Sequence, residues 1–136
     1  MFKNPGQDIL RSILKDSKTI AVVGLSNKPY RTSYQISLAM KEAGYKIIPV
    51  NPEITEALGE PAYSSLSQIE EPVDIINVFR RSNFLPDLAK EAKEINAKAF
   101  WAQQGVFHED VPSILKDTKI EVVMNNCIKV THALVK

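Results

Sequence analysis

Apolar runs typical of buried strands alternate with helical patterns along almost the whole chain. The strand-like runs are rich in β-branched residues and lie at 19–24, 45–50, 73–79, 98–101 and 120–124. Between them, apolar residues recur at i, i+3, i+4 and i+7, which is the spacing of one helix face. Because strands that alternate with helices pair in parallel, the pattern predicts one sheet with helices packed on both of its faces.

Capping residues and glycines mark the ends of the predicted helices. The predicted helices are an opening helix capped by Asn4 that ends near Asp16, a helix capped by Thr32 or Ser33 and ended by Gly44, a helical turn at 64–69, a helix over 85–95 capped by Ser82 or Asn83, a short helix through Ile114 and Leu115, and a last turn or two after Cys127. Pro49 has no N–H to donate, so it should lie near the end of its strand or at an edge of the sheet. The sequence therefore predicts an α/β fold, a three-layer Rossmann-like domain with a mainly parallel sheet of about five strands.

Composition and charge are those of an ordinary folded domain. A chain of 136 residues is long enough to bury a single core, so residues 1–136 are predicted to form one domain. Lys and Arg number 17 against 16 Asp and Glu, which gives a formal net charge of +1. Such a balance provides no overall field that would attract nucleic acid or an acidic membrane, so neither is expected as a partner.

Three features bear on the location of the protein. The longest uninterrupted apolar run, 20–25, is six residues long, whereas a helix that spans a bilayer needs roughly 20. The N-terminal residues lack the apolar segment of a secretory signal. Cys127 is the one cysteine, so it can form neither an internal disulfide nor a cysteine-cluster metal site. We therefore expect a cytoplasmic protein that has no membrane span and no metal.

The loop after the first predicted strand carries groups suited to phosphate. Ligands of parallel sheets bind at the carboxyl ends of the strands, where helix N-termini also point. This loop contains Gly24, the hydroxyl side chains of Ser26, Thr32 and Ser33, the amide of Asn27 and the cations Lys28 and Arg31. Glycine lets the backbone approach an oxyanion, and an arginine can hold two phosphate oxygens at once. With Arg80 and Arg81 after the third strand, the residues alone predict a polyphosphorylated small molecule.

The same loop departs from the common nucleotide-binding motifs. A dinucleotide fingerprint would place glycines at the positions of Ser26 and Pro29, and an acidic residue where Asn51 follows the second strand. The chain also lacks the Gly-Lys-Ser or Gly-Lys-Thr of a Walker motif. These departures disfavour NAD and nucleoside triphosphates as ligands.

Several short motifs occur together and in order. They are Val-Gly-Leu-Ser at 23–26, Arg-Thr-Ser-Tyr at 31–34, Gly-Tyr-Lys-Ile-Ile-Pro-Val-Asn-Pro at 44–52, Val-Asp at 73–74 followed by Val-Phe-Arg-Arg at 78–81, and Trp-Ala-Gln-Gln-Gly-Val at 101–106. In these motifs the chain resembles the small stand-alone CoA-binding proteins, which are similar to the CoA-binding domain of the succinyl-CoA synthetase alpha subunit. The resemblance extends from about Thr19 to His132.

This resemblance implies a Rossmann-like fold that holds CoA across the strand ends. It implies phosphate contacts for Gly24, Ser26, Arg31 and Ser33, adenosine contacts for Val50, Asn51 and Pro52, and pyrophosphate or pantetheine contacts for Val78, Phe79 and Arg80. Asn27 and Lys28 belong to the same phosphate-binding loop. The sequence departs from the family at 125–127, where Asn-Asn-Cys replaces the usual Asp-Arg-Cys, so the role of this corner is open.

Three hypotheses for function remain at this stage. The preferred one is a cytoplasmic protein that binds CoA or an acyl-CoA without catalysis of its own, since His108 and His132 occupy positions typical of capping, packing or surface residues. The second is a CoA-dependent enzyme or enzyme subunit, with Cys127 or a partner's residue as the reactive group. The third is a nucleotide-binding module for NAD or AMP. A homodimer or a partner subunit is expected because two-fold dimers are the commonest soluble oligomers.

Overall fold

A computed structural model describes residues 2–136, in which strands and helices alternate. The strands are β1 (Thr19–Val23), β2 (Lys46–Val50), β3 (Glu56–Ala57), β4 (Glu60–Pro61), β5 (Ile75–Val78), β6 (Ala99–Ala102) and β7 (Glu121–Val123). The helices are α1 (Gln7–Asp16), α2 (Thr32–Glu42), α3 (Leu85–Ala92), α4 (Val111–Ile114) and α5 (Ile128–Val135), with 3₁₀ turns at Leu66–Gln68 and Ser82–Phe84.

Five of the strands form a parallel sheet in the order β2-β1-β5-β6-β7. The chain leaves β1 for β2 on one side and returns to pair β5 on the other side of β1, so the strand order reverses between β1 and β5. Pro49 lies opposite Val22 in the edge strand β2, as its missing N–H requires. The parallel sheet and its flanking helices confirm the predicted α/β Rossmann-like fold.

Alternate residues of β1 point into two separate apolar clusters. Ile20 and Val22 are buried in a cluster with residues of α1, α2 and α5. Ala21 and Val23 are buried in a second cluster with residues of α3 and α4. A strand buried on both faces needs apolar residues at nearly every position, which explains the continuous apolar run that the sequence shows here. The helices therefore form one layer on each face of the sheet.

The predicted opening cap is wrong. Helix α1 begins after Gly6, and Asn4 lies outside it. The Asn4 amide instead pairs with the backbone of Met124 just after β7, donating to its carbonyl at 2.8 Å and accepting from its N–H at 2.8 Å. This long-range pair satisfies the backbone N–H and carbonyl of the residue that follows an edge strand. Preferences of asparagine for helix caps do not predict such a pair.

The predicted caps of the next two long helices are also wrong. Arg31 stands at the N-cap of α2 and Phe84 at that of α3, and neither end has a side-chain cap hydrogen bond. The hydroxyl of Ser33 accepts from the Ser26 N–H at 3.0 Å, and that of Ser82 accepts from the Phe107 N–H at 3.0 Å. Both hydroxyls therefore stabilise neighbouring loops. The helix predicted to reach 95 ends at Ala92.

A small hairpin between β2 and β5 escaped the sequence analysis. Strands β3 and β4 pair antiparallel around Leu58 and Gly59, which have φ values of 53° and 80°. Two successive residues with positive φ form the type I′ turn that suits a two-residue hairpin loop. The strands are only two residues long, so they show no alternation of apolar and polar residues. Leucine is unusual in such a turn, so the turn residues did not indicate the hairpin either.

The helices within residues 2–136 are short, the longest being α2 with 11 residues. None in that range combines the length and the apolar character that crossing a membrane requires. Over the same residues, no group of three or more His, Cys, Asp or Glu side chains is placed to hold a metal ion. Cys127 is a free, partly exposed thiol directly before α5.

Candidate functional site

The strand order reverses at the carboxyl ends of β1 and β5, and the backbone there is tightly packed. The Gly24 N–H donates to the Val50 carbonyl at 2.8 Å, and the Phe79 N–H donates to the Val23 carbonyl at 2.8 Å. Gly24 has a φ of +88°, and a Cβ at this position would lie 2.5 Å from the Phe79 carbonyl oxygen. Only glycine fits this point, where open α/β sheets bind their ligands.

Two cavities open at this edge of the sheet, one on each side of Phe79 and Arg80. The first, which we call the β2 cavity, has a volume of about 450 Å³ and is lined by Gly24, Asn51, Pro52, Ser64 and Ser65 among others. The second, the β6 cavity, has a volume of about 600 Å³ and is lined by Thr32, Ile36, Arg81, Gln103, Val106 and Cys127 among others. Phe79 and Arg80 line both, so the two cavities adjoin at this pair.

The structure brings six of the predicted site residues together around the β2 cavity. They are Gly24, Val50, Asn51, Pro52, Phe79 and Arg80. The Val78 side chain is fully buried in the apolar cluster beneath α3 and α4, and its carbonyl accepts from the Gln103 N–H at 3.2 Å. Gly24, Val50 and Arg80 come from three different loops or strands, and the topology places them at one edge.

The other five predicted residues, Ser26, Asn27, Lys28, Arg31 and Ser33, line neither cavity. The first four belong to the loop between β1 and α2 and Ser33 to the first turn of α2, and their polar groups pair with each other. The Ser26 N–H donates to the Ser33 hydroxyl at 3.0 Å, and the Lys28 N–H donates to the Ser26 hydroxyl at 3.1 Å. Arg31 is exposed, with its guanidinium carbon 5.6 Å from the centre of the Tyr30 ring. A phosphate role for this loop stays a prediction.

Asn51 connects two loops of the site. Its side-chain Nδ2 donates to the Leu25 carbonyl at 3.0 Å, and its Oδ1 accepts from the Glu53 N–H at 2.9 Å. Leu25 is fully buried, so the first bond fixes the loop after β2 to the loop after β1. Asn51 thus holds the wall of the β2 cavity in place, whatever it contacts in addition.

The two cavities differ in charge. The β2 cavity carries Arg80 together with the carboxylates of Glu53 and Glu91. The β6 cavity carries Arg80 and Arg81, and no acidic side chain stands among its lining residues in the described chain. The Arg80 guanidinium carbon lies 4.0 Å from the centre of the Phe84 ring, a stacking that holds the cation between the cavities. Anionic groups are therefore best placed at Arg80 and on its β6 side.

Sequence reasoning missed Gln103 as a site residue. It follows β6, is 4% exposed and lines the β6 cavity. Its Nε2 donates to Oδ1 of the buried Asn77 at 2.5 Å, while its Oε1 has no hydrogen-bond partner. An unpaired buried acceptor is costly unless a ligand or water pairs with it. Asn77 was the available signal, because one amide inside an otherwise apolar strand needs a polar neighbour.

Comparison with known proteins extends what the geometry shows. A curated relative, YneT of Bacillus subtilis (strain 168), is described as uncharacterized and is 54% identical over 135 residues, or 99% of this chain and 100% of YneT. The ADP-forming acetate–CoA ligase of Methanocaldococcus jannaschii is 23% identical over 135 residues, which cover 93% of this chain but 19% of the ligase. The chain thus corresponds to about a fifth of that relative's length.

Solved structures share the fold. The Thermus thermophilus protein called cell-free ID.343 superposes with a TM-score of 0.91 at 35% identity and covers 97% of this chain and 100% of its own. A family model described as the CoA binding domain matches residues 18–133. That range contains β1 to β7 and both cavities, and it agrees with the resemblance seen in the sequence motifs. The chain therefore belongs to the CoA-binding domain family.

Proposed function

We propose that the protein binds CoA or an acyl-CoA across the carboxyl edge of its sheet and performs no catalysis of its own. The observation that carries the proposal is the pair of cavities that adjoin at Phe79 and Arg80, directly beside the strand-order reversal. Their volumes of about 450 and 600 Å³ each fall in the range of small-molecule sites. An elongated ligand with a central anionic group suits this arrangement.

CoA has that shape, with adenosine at one end, phosphates in the middle and a pantetheine arm that ends in a thiol. We assign the adenosine to the β2 cavity, where Asn51 and Pro52 provide a polar and an apolar wall. The pyrophosphate then lies by Arg80, which lines both cavities and whose planar guanidinium pairs with two phosphate oxygens at once. The pantetheine arm occupies the β6 cavity, beside the apolar Ile36 and Val106.

The positions of the two histidines favour binding over catalysis. His108 lies in the turn before α4, where its Nδ1 accepts from the Asp110 N–H at 3.1 Å. The ring of His132 stands edge-on to that of Tyr45, with 5.7 Å between their centres. Neither histidine lines the two cavities. A general base must come within hydrogen-bond reach of the proton that it removes, and these rings lie elsewhere.

A ligand series tests the proposal. Thermal unfolding is followed with CoA, dephospho-CoA, acetyl-CoA, NAD and AMP, each at the same concentration. A ligand at a hundred times its dissociation constant adds about 2.7 kcal/mol to the free energy of unfolding, which raises the Tm of a domain of this size by several degrees. We expect this rise with CoA or acetyl-CoA. Equal shifts with AMP and NAD would instead support a general nucleotide-binding module.

Substitution of Arg80 sharpens the assignment. Loss of a charged hydrogen bond costs about 1.5 to 3 kcal/mol, so Arg80→Ala should weaken CoA binding by about tenfold or more in calorimetry. Arg80→Lys should fall between, because lysine keeps the charge but loses the planar fork. Lys116→Ala removes an exposed cation that lines neither cavity and serves as the control. Unchanged affinity in Arg80→Ala would place the phosphates elsewhere.

A further inference from the structure

The one thiol of the chain lies in the wall of the β6 cavity. Cys127 is partly exposed, unpaired and at the N-cap of α5, directly across from the loop that follows β6. Because the sequence holds a single cysteine, this thiol has no disulfide partner within its own chain. Any disulfide that it forms must join it to another molecule.

Three hydrogen bonds fix Asn126, the residue before Cys127, and a fourth holds the Cys127 carbonyl. Its backbone carbonyl accepts from the Trp101 indole N–H at 2.9 Å, and its N–H donates to the Ala102 carbonyl at 3.2 Å. Its side-chain oxygen accepts from the Thr131 hydroxyl at 2.5 Å, and the Thr131 N–H donates to the Cys127 carbonyl at 3.0 Å, which closes the first turn of α5. The Cys127 backbone is therefore held by both β6 and α5.

Asn125 secures the same corner from the other side. It has a φ of 52°, a conformation that asparagine tolerates better than most residues. Its Oδ1 accepts from the Gly105 N–H at 2.7 Å, and its N–H donates to the Val106 carbonyl at 2.9 Å. Residues 125–126 depart from the family pattern, but their hydrogen bonds still join the loop that follows β6 to the segment that carries Cys127.

Gln103 provides an independent sign of a ligand in this cavity. Its Oε1 is a buried acceptor without a partner, in the wall that also contains Cys127. This oxygen has less than 1 Å² of accessible surface, so the amide N–H groups of a pantetheine arm, which are donors of the kind that it lacks, meet it only once the Gln103 side chain turns toward the cavity. Arg80, Gln103 and Cys127 line the same cavity, so an arm that starts at Arg80 and fills this cavity has its terminal thiol in the space that Cys127 borders.

We infer that Cys127 forms a mixed disulfide with CoA bound in the β6 cavity, an inference that rests on the proposed function. The co-reactant is a disulfide of two CoA molecules. The Cys127 thiolate attacks one sulfur of that disulfide, a new S–S bond forms, and the S–S bond between the two CoA molecules breaks. The released CoA thiolate takes up the proton that Cys127 lost. Cys127 and one CoA thus end as a disulfide, while the second CoA is reduced to its thiol.

Intact-mass measurement under non-reducing conditions tests the inference. The protein is mixed with CoA disulfide or with glutathione disulfide at equal concentration. We expect one CoA adduct per chain, formed about tenfold faster than the glutathione adduct, because binding raises the local concentration of the reacting sulfur. Excess acetyl-CoA, which carries no free thiol, should slow the CoA reaction to the rate of the glutathione reaction. Cys127→Ser should form neither adduct.

Arg80→Ala separates a bound reactant from a merely accessible thiol. It should slow the reaction with CoA disulfide far more than the reaction with glutathione disulfide, whereas Lys116→Ala, which alters neither cavity, should leave both rates unchanged. Equal rates for the two disulfides in the unaltered protein, or no adduct at all, would overturn the inference. Calorimetry with CoA in the presence of a phosphine reductant then decides the proposed function on its own. Binding there would leave that function standing, and no binding would remove both.

Discussion

The two ends of the parallel sheet use their polar groups in opposite ways. At the amino end, the Asp74 carboxylate accepts from the Lys18 N–H at 2.7 Å and from the Thr19 N–H and hydroxyl, each at 3.2 Å. At the carboxyl end, two cavities adjoin at Arg80 and the Gln103 Oε1 has no partner. At β1 and β5, the amino edge is therefore closed by the protein's own residues, and the cavity of about 470 Å³ at this end of the sheet lies farther along, beside Lys98, Lys119 and Glu121. At the carboxyl edge of the same two strands, Arg80 instead faces two cavities that a ligand can enter.

The ionisation of Asp74 reflects this closure. Burial alone acts to raise the pKa of its carboxyl group. The hydrogen bonds from the Lys18 and Thr19 backbone, the nearby Lys98 ammonium and the Thr19 hydroxyl together outweigh burial, so the pKa of Asp74 is lowered. The carboxylate thus contributes to stability in its charged form, while the arginines of the other edge retain unfilled donors. The comparison teaches that polar residues of one sheet support the fold at one edge and, in the proposed function, hold the ligand at the other.

The largest effect is expected where the carboxyl edge is most tightly built. Gly24→Ala would force a side chain into a backbone with a φ of +88° and place its Cβ 2.5 Å from the Phe79 carbonyl oxygen. Strain and overpacking together should lower the free energy of unfolding by about 3 to 5 kcal/mol. Urea unfolding followed by circular dichroism measures the loss.

Gly105→Ala is the matched control for this substitution. Gly105 has a φ of +85°, but no atom lies within 4 Å of the position that its Cβ would take. Its alanine variant therefore pays for backbone strain alone, about 1 kcal/mol. Equal losses in the two variants would show that the close approach at the strand-order reversal contributes nothing, and the description of that point as tightly packed would fail.

The next largest effect should fall on the amino edge and leave binding untouched. Asp74→Ala removes the shared acceptor of Lys18 and Thr19 and should lower the free energy of unfolding by about 2 to 3 kcal/mol. The dissociation constant for CoA, measured by calorimetry at a temperature where the variant is folded, should stay the same. A tenfold weaker affinity would show that the two edges are coupled, contrary to the comparison.

The sequence was most informative about strands whose side chains are buried on both faces of the sheet. Each of the strands β1, β5 and β6 is buried on both faces, so apolar residues at nearly every position revealed it. Pro49 predicted a place near the end of its strand or at an edge of the sheet, because proline has no N–H to donate to a neighbouring strand. Local rules therefore predicted the sheet, and the sheet predicted the edge at which the cavities lie.

The sequence was least informative where a polar group pairs with a distant residue. Asn4 and Ser82 looked like helix caps, but they bond to Met124 and Phe107, and no spacing along the chain reveals such pairs. Gln103 shows the same limit. Its Nε2 donates to the Asn77 amide of a neighbouring strand, and its buried Oε1 is left without a partner. Gln103 was missed for this reason, whereas the motif-based residues Phe79 and Arg80, which line both cavities, were found.

A smaller effect tests residues 26–31 of the loop between β1 and α2, which the motifs assign to phosphate but which line neither cavity. If Arg31 leaves the Tyr30 ring to contact a phosphate, as we expect, Arg31→Ala should weaken CoA binding by about 1.5 kcal/mol. Dephospho-CoA, AMP and CoA measured by calorimetry would show which phosphate it meets. Unchanged affinity for all three would confine the carboxyl-edge site to the cavities themselves.

The smallest effect concerns acid, and it should belong to the amino edge alone. Because the pKa of Asp74 is lower in the folded protein than in the unfolded chain, its contribution to stability is complete above the unfolded value of roughly 3.9 and is lost as pH falls through the folded value. The gap in the free energy of unfolding between the unaltered protein and Asp74→Asn should therefore stay constant from neutral pH to about pH 5 and shrink steadily below pH 4. Urea titrations at several pH values measure this gap, and the other carboxylates cancel because both proteins carry them. Parallel stability curves down to pH 3 would mean that the charge of Asp74 stabilises nothing, and the contrast between a closed amino edge and an open carboxyl edge would then rest on geometry alone.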